Sequence, residues 1–392
     1  MARDPASTAG PKRLRNGNPA LTGPELQSTL HPDRTHDRTG RPTMNLKELA
    51  SKLGLSPTTV SRALNGYPEV NEVTRDRVMA AAKRHNYRPN TRAIRLATGR
   101  AMAVGHVMTG LTRNEIVNPI FADFIAGAGE VYSRNGYDMV LSVVGDDAED
   151  AAYRDLASRG AVDGVIVHSV KGCDPRIKVL ADLGLPAVFH GRATGTDQPY
   201  NWVDVNNRRA FLRATEFLLD LGHRRIGLVN GQEHMDFAIR RRTGYVDALT
   251  ARGLMADAAL MASHEMTELA GYRAATQMLD LADPPTAFLA SSMLSGMGVR
   301  RAIEARGLVM GRDVSVILFD DDLSYLRNGE DVPIFTATRS SVRDAGRIAA
   351  QMVLDLIAAP DPGRDAAPRT HLLEAELIIG QSTGPVPALH KG

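Results

Sequence analysis

The 392-residue chain has one cysteine, Cys173, one tryptophan, Trp202, and only 5% aromatic residues. A single thiol excludes an intramolecular disulfide framework and any zinc site built on clustered cysteines. No run reaches the ~18 apolar residues that a spanning helix needs, which excludes a multi-pass membrane protein. With no apolar signal segment at the N-terminus, the cytoplasm is the expected compartment. There is no Walker-type glycine loop and no His-Glu-x-x-His pair, and the eleven histidines show no metal spacing. No cofactor and no metal are therefore expected. Gly127-Ala128-Gly129 falls inside a helical pattern and reads as close packing, not as a dinucleotide fingerprint.

What is present looks ordinary at first: 43% hydrophobic residues, 23% charged residues and a net charge of +2. The charge is unevenly placed. Residues 44–100 hold eleven Lys/Arg against four Asp/Glu, and residues 101–392 hold 29 against 37. A short basic module thus precedes a large acidic body, the usual sign of a nucleic-acid contact confined to one part of a chain.

Residues 1–43 are rich in Pro, Gly, Thr and Arg with little apolar periodicity, which predicts a disordered tail. The apolar pattern begins abruptly at Met44, so the favoured reading of this stretch is a start-site artefact; the alternative is a basic arm. Leu46, Leu49, Ala50 and Leu53 share one helical face, and Gly54 suits the left-handed position that ends a helix. Ser56-Pro57 predicts a second helix, capped by Ser and opened by Pro, with Val60, Ala63 and Leu64 inward and Asn65-Gly66 as its stop. A third is expected after Asn71, with Val73, Val78, Ala81 and Ala82 inward and an end near Asn86. Residues 90–98 read as one more short helix. From 101 onward, strand-like runs such as 138–144, 163–167, 225–229 and 314–319 alternate with helical stretches such as 121–135 and 235–252. That alternation predicts parallel βαβ units, and nearly 300 residues favour two similar lobes over one sheet.

Residues Leu46 to Gly66, with Ala50-Ser51-Lys52-Leu53-Gly54-Leu55-Ser56 as the turn and Thr59-Val60-Ser61-Arg62-Ala63-Leu64-Asn65 in the second helix, resemble the helix-turn-helix of the LacI/GalR family of bacterial repressors. Tyr87-Arg88-Pro89-Asn90 follows in register. The resemblance implies that the second helix enters the major groove, where Pro57, Thr58, Ser61 and Arg62 meet base edges. The Arg62 fork suits guanine O6 and N7. Ser56, Thr59, Ser61, Asn65, Lys47, Lys52, Tyr87 and Arg88 are then positioning contacts. The resemblance continues through Asn90 to Gly99 as the family's hinge helix, which implies that Leu96 wedges the minor groove and that Ala93 makes the small-residue contact.

The body resembles the same family less tightly, at Val162-Asp163-Gly164, Leu221-Gly222-His223-Arg224, Arg241-Arg242-Thr243-Gly244-Tyr245 and Phe319-Asp320-Asp321. It implies a two-lobed, doubly wound α/β body like a periplasmic sugar-binding protein, behind a small all-α head. The expected divisions are 44–89 for the head, 90–100 for the hinge and 101–382 for the body, with a tail at 383–392. The first lobe is expected at about 101–202 and 338–370, and the second at about 203–337 and 371–382. Arg241 and Asp320 fall on the family's effector-binding arginine and aspartate. Asn118 and Phe121 come from the opposite lobe, and Trp202 reads as either a stacking platform or a packing residue. Two departures bear on the ligand. Ser291-Ser292 stand where the family has Asn-Asp, and His190-Gly191-Arg192 where many members have an aspartate, so Arg192 suits a carboxylate, a phosphate or a hydroxyl.

The expected function is a homodimeric, non-enzymatic transcriptional regulator that binds operator DNA and is released by a sugar such as an α-glucoside. Its rivals are an activator, a corepressor-dependent repressor, a transport protein and an enzyme.

Overall fold

The computed structural model describes residues 44–64, 66–87, 99–109, 118–145, 148–359 and 367–387. Asn65, Asn90, Ala93 and Leu96 lie outside the described residues, as do Arg88 and the tail before Met44. The chain divides into two compact units, one through Asn90 and one from Thr91.

The first unit holds α1 (Leu46–Leu53), α2 (Pro57–Leu64) and α3 (Glu72–Arg84). A reciprocal capping box starts α1: Glu48 N donates to Asn45 Oδ1 and Asn45 N donates to Glu48 Oε2, both at 3.0 Å. Gly54, at φ 66°, closes it. Ser56 accepts from Thr59 N at 3.0 Å and caps α2. Asn71 accepts from Thr74 N at 2.8 Å and caps α3. The core is Leu49, Ala50, Leu53, Val60, Ala63, Val70, Val78 and Ala82. Val73 does not join it: at 80% exposure it lies on the solvent side of α3, and Val70, in the turn before the helix, fills the core position instead.

The second unit is two doubly wound lobes. The first sheet comprises β1 (Ala103–Thr109), β2 (Asp138–Val144), β3 (Gly164–Val167), β4 (Ala187–His190), β5 (Asn201–Val205) and β11 (Thr370–Leu373). Their order is β2-β1-β3-β4-β5-β11, and every pairing is parallel. The second comprises β6 (Ile226–Asn230), β7 (Met261–Ser263), β8 (Ala287–Ala290), β9 (Ser315–Asp320), β10 (Thr336–Arg339) and β12 (Glu376–Ile378), in the order β7-β6-β8-β9-β10-β12. Only its β10–β12 pairing is antiparallel.

The helices of the first lobe are α4 (Pro119–Asn135), α5 (Glu149–Ser158), α6 (Arg176–Leu183) and α11 (Val342–Ala358). Those of the second are α7 (Asn207–Asp220), α8 (Asp236–Ala251), α9 (Glu268–Leu279) and α10 (Met293–Glu304). Helices α4 and α11 meet backbone to backbone at Gly127, where an added Cβ would lie 2.0 Å from Arg343 O. The chain changes lobe three times: after β5, after β10 and between β11 and β12. The first crossing falls after Val205 rather than near 202, because Val203–Val205 pair in register with His371–Leu373. The third accordingly falls after Leu373 rather than near 370.

Both sheets reverse strand order at a switch point, between β1 and β3 and between β6 and β8. Open α/β sheets place ligands outside the carboxyl ends of strands at such points. Residues immediately after β3, β4, β8 and β9 are therefore set to face a common crevice.

Candidate functional site

In the head, Lys47, Ser56, Pro57, Thr58 and Arg62 are exposed, while Thr59, Ser61 and Tyr87 are half-buried. The start of α2 and the start of α3 flank a concavity lined by Ser56, Thr58, Thr59, Arg62, Glu69 and Asn71. The Thr59 hydroxyl lies 2.8 Å from Ser56 Oγ, which ties it into the cap of α2. Tyr87 packs against the head's core, and burial raises its phenol pKa. The basic residues divide by task. Arg77 donates to Leu53 O at 2.8 Å, and Arg75 donates to Tyr67 O and Val70 O at 3.1 Å, so both brace the fold.

In the body, a cavity of about 460 Å³ opens between the lobes, within the ~300–1,000 Å³ usual for small-molecule sites. Asn118, Phe121, Arg192, Arg241 and Ser291 line it. Asn118 also caps α4, accepting from Ile120 N at 3.1 Å.

Arg241, on α8, is buried. Its Nε donates to Asn207 Oδ1 at 2.7 Å and its Nη1 to Ser291 O at 2.6 Å. The Phe319 ring centroid lies 4.0 Å from the guanidinium. Burial lowers the arginine's pKa to about 10, with Asp321 and Asp204 opposing the shift. Ser291 Oγ donates to Asn230 Oδ1 at 2.8 Å.

Two expected cleft residues are not brought to the cavity. Asp320 is the last residue of β9, and its carboxylate accepts from Arg339 Nε at 2.9 Å and from Asp322 N at 2.9 Å. Its neighbour Asp321 lines the cavity instead, one residue past the strand end. Burial pushes the Asp321 carboxyl up to about 7, with Arg241 opposing and Asp320 adding to the rise. Trp202 lies inside β5 and packs with the first lobe's core; the Arg192 guanidinium sits 5.0 Å over its ring. The tryptophan thus backs a cleft arginine and does not line the cavity. Arg192 in turn donates from Nε to Asp204 Oδ2 at 2.7 Å.

Sequence reasoning missed Asp204, Asn207, Asp321, His168 and His190, all of which line the cavity. His168 directly follows β3 and Asp321 directly follows β9, so the strand-end rule was the signal that would have found them.

The lobes also touch at the cleft mouth. Thr194, after β4, donates its N–H to Asp236 Oδ1 at 2.9 Å, and its hydroxyl also bonds Asp236. Arg240 pairs with Asp236 and donates to Thr194 Oγ1 at 3.1 Å. Asp236 N donates to Val170 O at 3.0 Å. No group of three or more His, Cys, Asp or Glu among the described residues could hold a metal.

Residues 45–90 match the lacI family of bacterial regulatory proteins, and residues 215–383 match a periplasmic binding protein-like domain. The chain is 45% identical to the HTH-type transcriptional regulator AglR of Rhizobium meliloti (strain 1021), over 88% of this chain and 95% of that protein. It is 34% identical to the regulator RafR of Escherichia coli, over 81% of this chain and 94% of that one. The solved transcriptional regulator CelR–cellobiose complex matches with a TM-score of 0.64 at 29% identity, over 86% of this chain and 99% of that chain. The lac repressor dimer bound to operator and the anti-inducer ONPF matches with a TM-score of 0.70 at 25% identity, over 87% and 99%. A helix-turn-helix head joined to a two-lobed sensor body, carried across nearly the whole length of such relatives, makes the chain a member of the lacI family: a DNA-binding transcriptional regulator and not an enzyme.

Proposed function

We propose that this regulator represses carbohydrate uptake or catabolism genes in the cytoplasm, and that a small neutral sugar, foremost an α-glucoside, releases it from its operator. The carrying observation is the charge balance of the cleft. Arg192 is paired with Asp204, and Arg241 is offset by Asp321 beside it. Among the described lining residues Arg192 and Arg241 are the only permanent cations, each beside a carboxylate, while Asn118, Asn207, Gln232 and Ser291 supply neutral polar edges. Such a lining suits hydroxyls. The fork of Arg241 is already held on two sides, and its Nη2 edge is the part that meets the ligand.

Two chains read a pseudo-palindromic operator, one head per half-site. Arg62 reads a guanine, and the hinge at 90–100 places two Leu96 side chains in the minor groove. The sugar acts by binding one arrangement of the lobes more tightly than the other.

Selection of duplexes from a random pool, followed by anisotropy titration with maltose, trehalose and sucrose, tests this reading. The expected result is a two-fold symmetric site bound by two chains and weakened by at least one sugar. An asymmetric site bound by one chain, or affinity that none of the sugars changes, overturns it. Tightening by a sugar assigns corepression instead.

A further inference from the structure

The wall that the first lobe gives to the cleft contains a chain of three polar rings. His168 is buried, at 5% exposure, yet lines the cavity. Its Nε2 lies 3.0 Å from His106 Nδ1, and His106 Nε2 lies 3.1 Å from the Tyr132 hydroxyl. His106 and Tyr132 are fully buried behind it, on β1 and α4. The His168 ring is locked. Phe121 and Phe124 meet it edge-on at 5.1 and 4.9 Å, and the His106 ring lies edge to edge with it, nearly coplanar at 20°, across the hydrogen bond. Both nitrogens of His106 are therefore engaged within the protein, while Nδ1 of His168 bonds no described residue. Desolvation holds both imidazoles well below their usual pKa range, so each carries one proton.

Two proton arrangements are open to this chain, and only the first gives the buried Tyr132 O–H an acceptor among the described residues. In the first, the Tyr132 O–H donates to His106 Nε2, His106 Nδ1–H donates to His168 Nε2, and His168 presents Nδ1–H to the cleft. In the second, His168 Nε2–H donates to His106 Nδ1, His106 Nε2–H donates to the Tyr132 oxygen, and His168 presents a bare Nδ1 lone pair. The proton count is the same in both; each imidazole proton has changed nitrogen. A hydroxyl both donates and accepts, so it is served by either arrangement. A group that only accepts selects the first, and one that only donates selects the second.

Resting on the reading of the cleft as a sugar site, we propose that His168 is a specificity-determining residue. It meets a ligand hydroxyl through Nδ1, as donor or acceptor according to the tautomer of the His106–His168 pair, with Tyr132 as the positioning residue behind it.

The test uses the full chain with ¹⁵N-labelled histidine rings, in wild type, Tyr132→Phe, His168→Leu, His168→Gln and Arg241→Ala. In the ligand-free wild type the His106 and His168 ring shifts should favour the first arrangement, and Tyr132→Phe, which removes the O–H that selects it, should move them toward the second. For whichever of maltose, trehalose and sucrose binds, calorimetry should find affinity ~10–100-fold weaker in His168→Leu. The loss should be smaller in His168→Gln and Tyr132→Phe, with operator binding retained. A single wild-type tautomer that Tyr132→Phe leaves unmoved overturns the proposal, as does unchanged sugar affinity in His168→Leu. Failure of the sugar reading looks different. The wild type then binds none of the three sugars, or Arg241→Ala binds them as well as wild type, while the ring shifts still judge the His106–Tyr132 pair.

Discussion

Arg241 Nε donates to Asn207 Oδ1 at 2.7 Å, and Asn207 is the first residue of α7, just past the first crossing between the lobes. A cleft arginine is thus fixed to the segment about which the lobes would have to turn. Asn207→Ala removes the neutral acceptor of a charged donor, an interaction of ~1.5–3 kcal/mol. Effector affinity should fall ~10–100-fold, while operator affinity without sugar stays within twofold. Calorimetry and anisotropy on the same preparations check this. An unchanged effector affinity would mean that Ser291 O alone holds the fork.

Asp321 should leave a mark on the pH profile of stability. Burial, partly offset by Arg241, pushes its carboxyl up to about 7. The folded protein therefore keeps a proton that the unfolded chain releases above pH ~4. Where the native state binds more protons, stability falls as pH rises. The loss from this group begins near pH 4 and is complete above about 7. Asp321→Asn cannot ionise, so it should gain roughly 1–4 kcal/mol on wild type at pH 8 and nothing at pH 4. Urea unfolding at both values decides, and equal pH slopes would refute the assignment.

Much of the fold was legible because its central strands are short apolar runs between helical stretches. Asp138–Val144 forms a strand over those same residues, and the run expected at 163–167 is the strand Gly164–Val167. The strands without a matching run are β5, β7, β10, β11 and β12, of three to five residues, with polar or exposed positions such as Asp204, Arg339 and Thr370. Tertiary pairing, not local pattern, makes these segments strands. The site divided similarly. The motif positions of Arg241 and Ser291 lie on the cavity wall, whereas Asp320 turns to Arg339 and its neighbour Asp321 lines the cavity. Strand alternation explains the difference, since moving one residue along a strand turns the side chain to the other face. Of the two readings of Trp202 the packing one agrees with the structure, because the chain crosses lobes after Val205 and Trp202 stays within the first sheet.

The contact at the cleft mouth should be separable from the ligand site. Thr194→Val removes the hydroxyl shared by Asp236 and Arg240 and keeps the side-chain shape. The ligand-free body should then sample a wider cleft, seen as a larger radius of gyration in solution scattering, with its unfolding midpoint little changed. Identical scattering curves would show that the hydroxyl is dispensable and that the Thr194 and Asp236 backbone bonds and the crossings hold the lobes.

In the head, the exposed cations should behave differently from one another. Arg62→Ala should cost ~1–3 kcal/mol on the selected operator and relax preference at one position per half-site. Lys52→Ala should weaken specific and random duplexes alike and lower the salt slope by ~1. Equal losses on both duplexes for Arg62→Ala would place that side chain on phosphate.

The Gly127-Ala128-Gly129 stretch contains its own control. Both glycines lie in α4, where glycine costs roughly 1 kcal/mol relative to alanine. At Gly127 a Cβ would sit 2.0 Å from Arg343 O, a backbone atom of α11 that no rotamer can move aside. At Gly129 a Cβ meets nothing within 4 Å. Gly127→Ala should therefore force α4 and α11 apart and destabilise by about 1–3 kcal/mol or more. Gly129→Ala should gain up to ~1 kcal/mol from helix propensity. Denaturant unfolding of the two single variants reads the sign directly. If both stabilise, the helices are not in backbone contact at Gly127, and the space between them can take a methyl group.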